Sequence, residues 1–224
     1  LVPLFNYALP PFPGAVSLGF SIPVPLTASA QMLIIDPALV DGFAVSAGAD
    51  LNVINALIFE DFETAVTGNP GTYPTGWTDG GGNYPWLVNS GGTSSSPTGP
   101  TGDHTTGSGN YMYCETSSPV AVGQTFILNL PPFNAPPTPV SASFWVNMYG
   151  SSTGTLNLEE FDGTNWNVRW TLSGDQGQAW LNQTAPLMTP TGGQYVLRFH
   201  YTAAADPTGI VYWGDTAIDD VIIQ

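Results

Sequence analysis

The chain has 224 residues and a formal net charge of -15, with no lysine and only Arg169 and Arg198 set against 17 acidic side chains. Phosphate neutralisation needs clustered Lys and Arg, so nucleic acid is not an expected partner, and an anionic membrane surface repels such a chain. No run reaches the roughly 18 uninterrupted apolar residues of a membrane span, and the single cysteine, Cys114, cannot form an intrachain disulfide.

Glycine (26) and proline (21) are abundant, and Val, Thr, Tyr, Phe and Trp recur in short runs. That mixture favours many short strands joined by tight turns, so an all-β class is expected. The length suits one large β-domain carrying an appendage. The first residue is Leu1, not methionine, which suggests a processed product whose signal peptide has been removed.

Residues 1–57 read as an arm and residues 58–224 as the folded domain. Within the arm, Val16, Leu18, Phe20 and Ile22 alternate with small residues at period 2, the pattern of a strand that buries one face. Pro10, Pro11, Pro13, Pro23 and Pro25 bracket it. Proline cannot donate to a ladder, so this strand belongs at a sheet edge or laid on another surface. The stretch from Asp36 to Asn55 is compatible with a short helix or with further strands.

Beyond Phe59 the strand signals are clean. Val140, Ala142, Phe144, Val146 and Met148 share one face; Trp166, Val168, Trp170 and Leu172 repeat the pattern, as do Tyr195, Leu197, Phe199 and Tyr201. Cys114 alternates with Tyr111 and Tyr113 and reads as a small buried apolar residue. The tripeptide Pro-Thr-Gly occurs five times, starting at Pro74, Pro97, Pro100, Pro190 and Pro207, and marks turns. The polar run from Gly91 to Thr106 reads as a long surface loop.

The segment from Thr98-Gly99-Pro100 through Asp103-His104-Thr105 to Tyr111-Met112-Tyr113-Cys114-Glu115-Thr116-Ser117 resembles the signature of MAM domains, the extracellular adhesion modules of meprins and receptor phosphatases. Asp61-Phe62-Glu63, Ser143-Phe144-Trp145 with Met148-Tyr149-Gly150, Gly174-Asp175-Gln176-Gly177 with Trp180, and Ala217-Ile218-Asp219-Asp220-Val221-Ile222-Ile223 resemble further landmarks in the family's order. The resemblance spans about residues 59 to 224. It implies a two-sheet antiparallel jelly-roll sandwich, extracellular recognition or adhesion, and no catalytic centre. Animal members carry paired cysteines that this chain lacks, which points to a microbial relative similar to bacterial secreted adhesin and carbohydrate-binding domains.

In jelly rolls of this kind the first and last strands lie side by side, which would bring Asp61 or Glu63 to Asp219 or Asp220. Asp103 is the resemblance's other acidic point. Calcium takes six to eight oxygens from carboxylates and carbonyls, so Glu63, Asp103 and Asp219, with Asp61 and Asp220 beside them, are the expected ligands. A hydrogen-bonded carboxylate cluster that caps turns is the competing reading. His104 and His200 lack the nucleophile or second ligand of a triad or zinc site. The adjacent Glu159 and Glu160 point to opposite strand faces and so do not form a glycosidase pair. Trp77, Trp86 and Trp213 are candidates for stacking on a sugar ring, and Asn182-Gln183-Thr184 is a glycosylation sequon.

Assembly is the sharper expectation. Sheet edges are commonly guarded by lysine, and this chain has none. A one-face-apolar segment near the N-terminus can complete a neighbour's sheet by strand addition, giving an open head-to-tail polymer. The expected partners are copies of the chain itself, or a cell-surface protein or glycan.

Overall fold

The computed structural model describes residues 56–190 and 192–224, together with the backbone of four short strands nearer the N-terminus: Thr27–Ala30 (β1), Leu33–Ile34 (β2), Ala44–Val45 (β3) and Ala49–Asn52 (β4). Contacts divide the chain into residues 1–55 and 56–224. In the first unit β1 pairs antiparallel with β4, and β2 with β3. The stretch whose composition allowed helix or strand thus contributes two strands, β3 and β4. Val16, Leu18, Phe20 and Ile22 lie outside the described residues.

The second unit is an all-β, two-sheet antiparallel sandwich. Its strands are Ile58–Glu60 (β5), Thr78–Asp79 (β6), Leu87–Ser90 (β7), Asn110–Cys114 (β8), Thr125–Asn129 (β9), Phe133–Asn134 (β10), Ser141–Met148 (β11), Thr155–Phe161 (β12), Trp166–Ser173 (β13), Gly177–Pro186 (β14), Gln194–Tyr195 (β15), Leu197–Thr202 (β16) and Thr216–Ile223 (β17). One sheet runs β14-β11-β17-β8-β7, with β5 also paired to β17, and the other runs β13-β12-β16-β9-β6. Strands β10 and β15 form a small separate pair.

Alternation places Ala142, Phe144, Val146 and Met148 of β11 against Leu156, Leu158, Leu197, Phe199 and Tyr201 of the facing sheet, all at most 1% exposed. Phe144 packs edge-on against both Phe199 and Trp170, with ring centroids 5.0 and 4.9 Å away. Burying such side chains contributes about 1.5–3 kcal/mol each. Cys114 is fully buried here, and burial pushes its thiol well above the usual range. It packs as a small hydrophobe.

One pattern breaks. Trp170 faces Leu158, but the next pairing is Val168 with Glu159, so Arg169 is the extra residue of a β-bulge. The bulge inverts the alternation: Trp170 and Leu172 pack on the core, whereas Trp166 and Val168 turn to the outer face, where Val168 is 51% exposed. The four residues do not share a face as simple period-2 reading expects.

Candidate functional site

On the outer face of the β11–β17–β8 sheet, Leu87, Tyr111, Tyr113 and Ala217 are buried together with Trp180. They are covered by the segment between β7 and β8, which crosses that face as a strap. The Tyr111 hydroxyl donates to the Gly91 carbonyl (2.7 Å), Trp180 Nε1 to the Gly102 carbonyl (3.1 Å), and Thr98 Oγ1 to the Tyr149 carbonyl (2.9 Å). Thr98 to Pro100, Gly102 and Asp103 are buried. The expectation of a surface loop is therefore corrected for its central part. A polar run is buried here because its hydroxyls and amides find partners, so the usual desolvation cost does not arise.

The strap ends on carboxylates. Asp103 is 4% exposed; its Oδ2 accepts the Thr106 amide (2.8 Å) and its Oδ1 the Gly109 amide (2.6 Å). Burial alone would raise this carboxyl's pKa, but the N–H donors, Thr106 first, outweigh it and hold the group below its ordinary value. The His104 imidazole stacks on Trp145 (3.6 Å between ring centres, 16° between planes), and its Nδ1 lies 2.6 Å from Asp220 Oδ2. The His104 amide donates to Asp219 Oδ2 (2.8 Å), and Thr105 Oγ1 to Asp220 Oδ2 (2.6 Å). Adjacent strand residues ordinarily diverge. Here a register shift in β17 and a φ of 47° at Asp220 bring both aspartates to the strap.

Glu63 approaches from the other side, with Oε1 accepting the Asn110 amide at 3.1 Å. A β-carbon on Gly109 would meet that carboxylate, so a larger residue there would displace the Glu63 side chain. Asp61 instead accepts the Glu63 amide (3.2 Å), the two acids flanking the fully buried Phe62. The side-by-side placement of the first and last strands of the domain is present, since Glu60 of β5 pairs with Val221 of β17. Asp219 is 1% exposed; burial, followed by the charges of Asp220 and Asp103, pushes its pKa up to about 7. Asp103→Ala should cost about 1.5–3 kcal/mol and speed amide exchange at Thr106 and Gly109; unchanged exchange there would refute the clipping role of this carboxylate.

Among the described residues, no three acidic, His or Cys side chains converge as a metal centre requires. The carboxylates of Glu63, Asp103 and Asp219 each already accept a backbone amide.

The remaining candidates separate. Glu159 accepts from Arg198 Nε (2.6 Å) and lies 3.2 Å from His200 Nδ1, whereas Glu160 accepts from Arg169 Nε (2.7 Å) and the Met188 amide (3.0 Å). They share no partner and are not arranged as an acid–base couple. Arg198 also lies 3.9 Å over the Trp166 ring. Trp77 and Trp86 are 4% and 0% exposed, which corrects their candidacy as sugar platforms: both are core residues. Trp213 donates Nε1 to the Ser96 carbonyl at 3.2 Å, and Asn182 is exposed on β14.

Residues 61–224 match the family described as MAM domain, meprin/A5/mu. The chain belongs to the MAM family. Among curated relatives, Neuropilin-1a of Danio rerio is 31% identical over 156 residues, covering 66% of this chain and 16% of the relative. MAM domain-containing protein 2 of Mus musculus is 34% identical over 142 residues, 62% of this chain and 19% of the relative. The chain thus matches less than a fifth of the length of either protein. Among solved structures, the K2 cleaved adhesin domain of Lys-gingipain shares the sandwich with a TM-score of 0.51, at 18% identity over 75% of this chain and 98% of that one. The segment Thr98–Ser117, within the matched range, crosses the outer face and enters β8.

Proposed function

We propose that this MAM domain works as an extracellular, non-catalytic adhesion module. Membership of the MAM family over residues 61–224 carries the reading. The arrangement of Glu159 and Glu160 supports it: each is bound by a different arginine, so the two are not set up as an acid–base pair. No helix among the described residues is long and apolar enough to cross a membrane.

Two finer features belong to the same proposal. The segment from Val16 to Ile22 is donated to a neighbouring copy, making a filament or surface array, and calcium is held by Glu63, Asp103 and Asp219 with Asp220 and Asp61 close by. The one-face-apolar sequence pattern supports the first. The like charge gathered at the end of the strap, with no lysine to offset it, supports the second.

Electron microscopy of the full chain at neutral pH, with calcium and with chelator, tests assembly and the ion together. Filaments with calcium that loosen on chelation are expected, along with a melting temperature several degrees lower in chelator. Polymerisation undiminished by deletion of residues 1–30 would refute the arm, and a melting temperature indifferent to chelator would refute calcium. Adhesion itself is read separately, as retention of labelled protein on cells or immobilised extracellular proteins, and no retention on any of them would overturn the module reading.

A further inference from the structure

A half-enclosed cavity of about 220 Å³ opens between Tyr84, Pro85, Pro119, Val120 and Phe126, with Glu115 in its wall. The volume falls short of the roughly 300–1,000 Å³ typical of small-molecule pockets and suits a single extended side chain. The walls are proline rings and the Tyr84–Phe126 aromatic pair, whose centroids are 5.6 Å apart. Asn69, Ser117 and Ser118 complete the lining with polar groups, and Glu115 is its one charged residue.

That charge is uncompensated. The sequence has two arginines, two histidines and no lysine. Arg169 is held by Glu160, Arg198 and His200 by Glu159, and His104 by Asp220. Residues 1–55 contain no cationic side chain, so none is left for Glu115. Glu115 instead accepts the Ser94 hydroxyl and the Ser117 amide, both at 2.9 Å, which fix its orientation and leave lone pairs free. Its charge is felt nearby: after burial, Glu115 is the largest cause of the raised Asp215 pKa, and it also contributes to raising Tyr113.

We propose that this cavity receives an arginine or lysine side chain presented by a partner protein, the aliphatic stem lying on the proline and aromatic walls and the cationic head on Glu115. Long basic side chains combine an apolar stem with a charged tip, and this cavity presents the matching pair of surfaces. The chain's net charge of -15 draws basic surfaces toward it over longer range. The inference rests on the adhesion reading and names the chemistry of the partner.

The test is an NMR titration of the full chain with acetyl-Gly-Arg-Gly-amide, its lysine counterpart, and the neutral citrulline isostere. Saturable shifts confined to Tyr84, Val120 and Phe126 are expected with the basic peptides, and at least about tenfold weaker binding with citrulline. Glu115→Gln keeps an acceptor oxygen for Ser94 or Ser117 and should weaken arginine binding about tenfold. Asp79→Asn, which removes the same charge from the exposed strand β6, should leave it unchanged. Equal losses in the two variants, equal binding of citrulline, or no shift at millimolar peptide would each overturn the proposal. Undiminished retention of Glu115→Gln on a surface that holds the parent chain would also overturn it while leaving the adhesion reading standing; a parent chain that binds arginine peptide but no surface would do the reverse.

Discussion

Arg198→Met should lower the unfolding free energy by about 3 kcal/mol, seen as a lower urea midpoint with an unchanged m-value. Arg198 Nε sits 2.6 Å from Glu159 Oε2, and the two side chains are 16% and 8% exposed. Removing the cation leaves a nearly dry carboxylate with only His200 beside it, and no lysine exists anywhere in the chain to move in. The Trp166 stack, worth about 0.5–2 kcal/mol, is lost with it. The double variant Arg198→Met with Glu159→Leu should recover all but about 1 kcal/mol, because replacing both members of a buried pair by apolar residues is often close to neutral. If the double variant were no more stable than the single one, the loss would belong to the tryptophan stack and not to the stranded charge.

The second large effect is a pH dependence with an unusual sign. Asp215 is fully buried, its Oδ1 accepting the Thr116 amide and hydroxyl while Oδ2 has no partner among the described residues. Burial, and then the Glu115 charge, raise its pKa to about 7. A carboxyl raised in the folded state binds its proton more tightly there than in the unfolded chain. Its contribution is therefore fully present below the unfolded value near 4 and is lost as pH rises through about 7, with a slope of at most about 1.4 kcal/mol per pH unit. The melting temperature should climb as pH falls from 8 toward 5, where most proteins with paired carboxylates begin to lose stability. Asp103, Asp162 and Asp206 are shifted downward and pull the other way only at more acidic pH. Asp219, also raised to about 7, titrates in the same window with the same sign, so Asp215→Asn, which keeps the shape and removes one of the two titrations, should lower the pH slope without abolishing it; an unaltered slope in that variant would assign the effect to Asp219.

Much of the sandwich could be read from alternation alone. Strands β8, β11 and β16 have one apolar and one mixed face, and their inward residues are those expected. Strand β13 misled because a bulge is a matter of one backbone residue. Nothing in Trp-Asn-Val-Arg-Trp-Thr-Leu-Ser announces that Arg169 is skipped by the ladder, and the arginine that marks the spot looks like any solvated side chain. The strap misled for a different reason. Its Thr, Gly and Pro residues carry no hydrophobic signal, and their burial depends on partners such as Tyr149, Trp180 and Asp215 that lie some 50 to 120 residues away in sequence. Glu63, Asp103 and Asp219 are candidates by family resemblance, not by spacing, and each accepts a different backbone amide. Glu115 escaped notice because its significance is a deficit: only once every cation has been traced to another carboxylate does its lack of a partner appear.

The position of β17 carries a consequence for how the domain comes into being. Residues 216–223 form a central strand, flanked by β11 on one side and by β8 and β5 on the other. During synthesis the two halves of that sheet have nothing between them until residue 223 is available, about 75 residues after β11 is complete at Met148. At roughly 5–20 residues per second the wait is on the order of 4–15 s. Throughout it the edges of β8 and β11 are unpaired, and the core is open on the side that Ile218, Val221 and Ile223 will fill. The first sheet therefore closes only when its last strand arrives, whereas the second sheet contains no part of it.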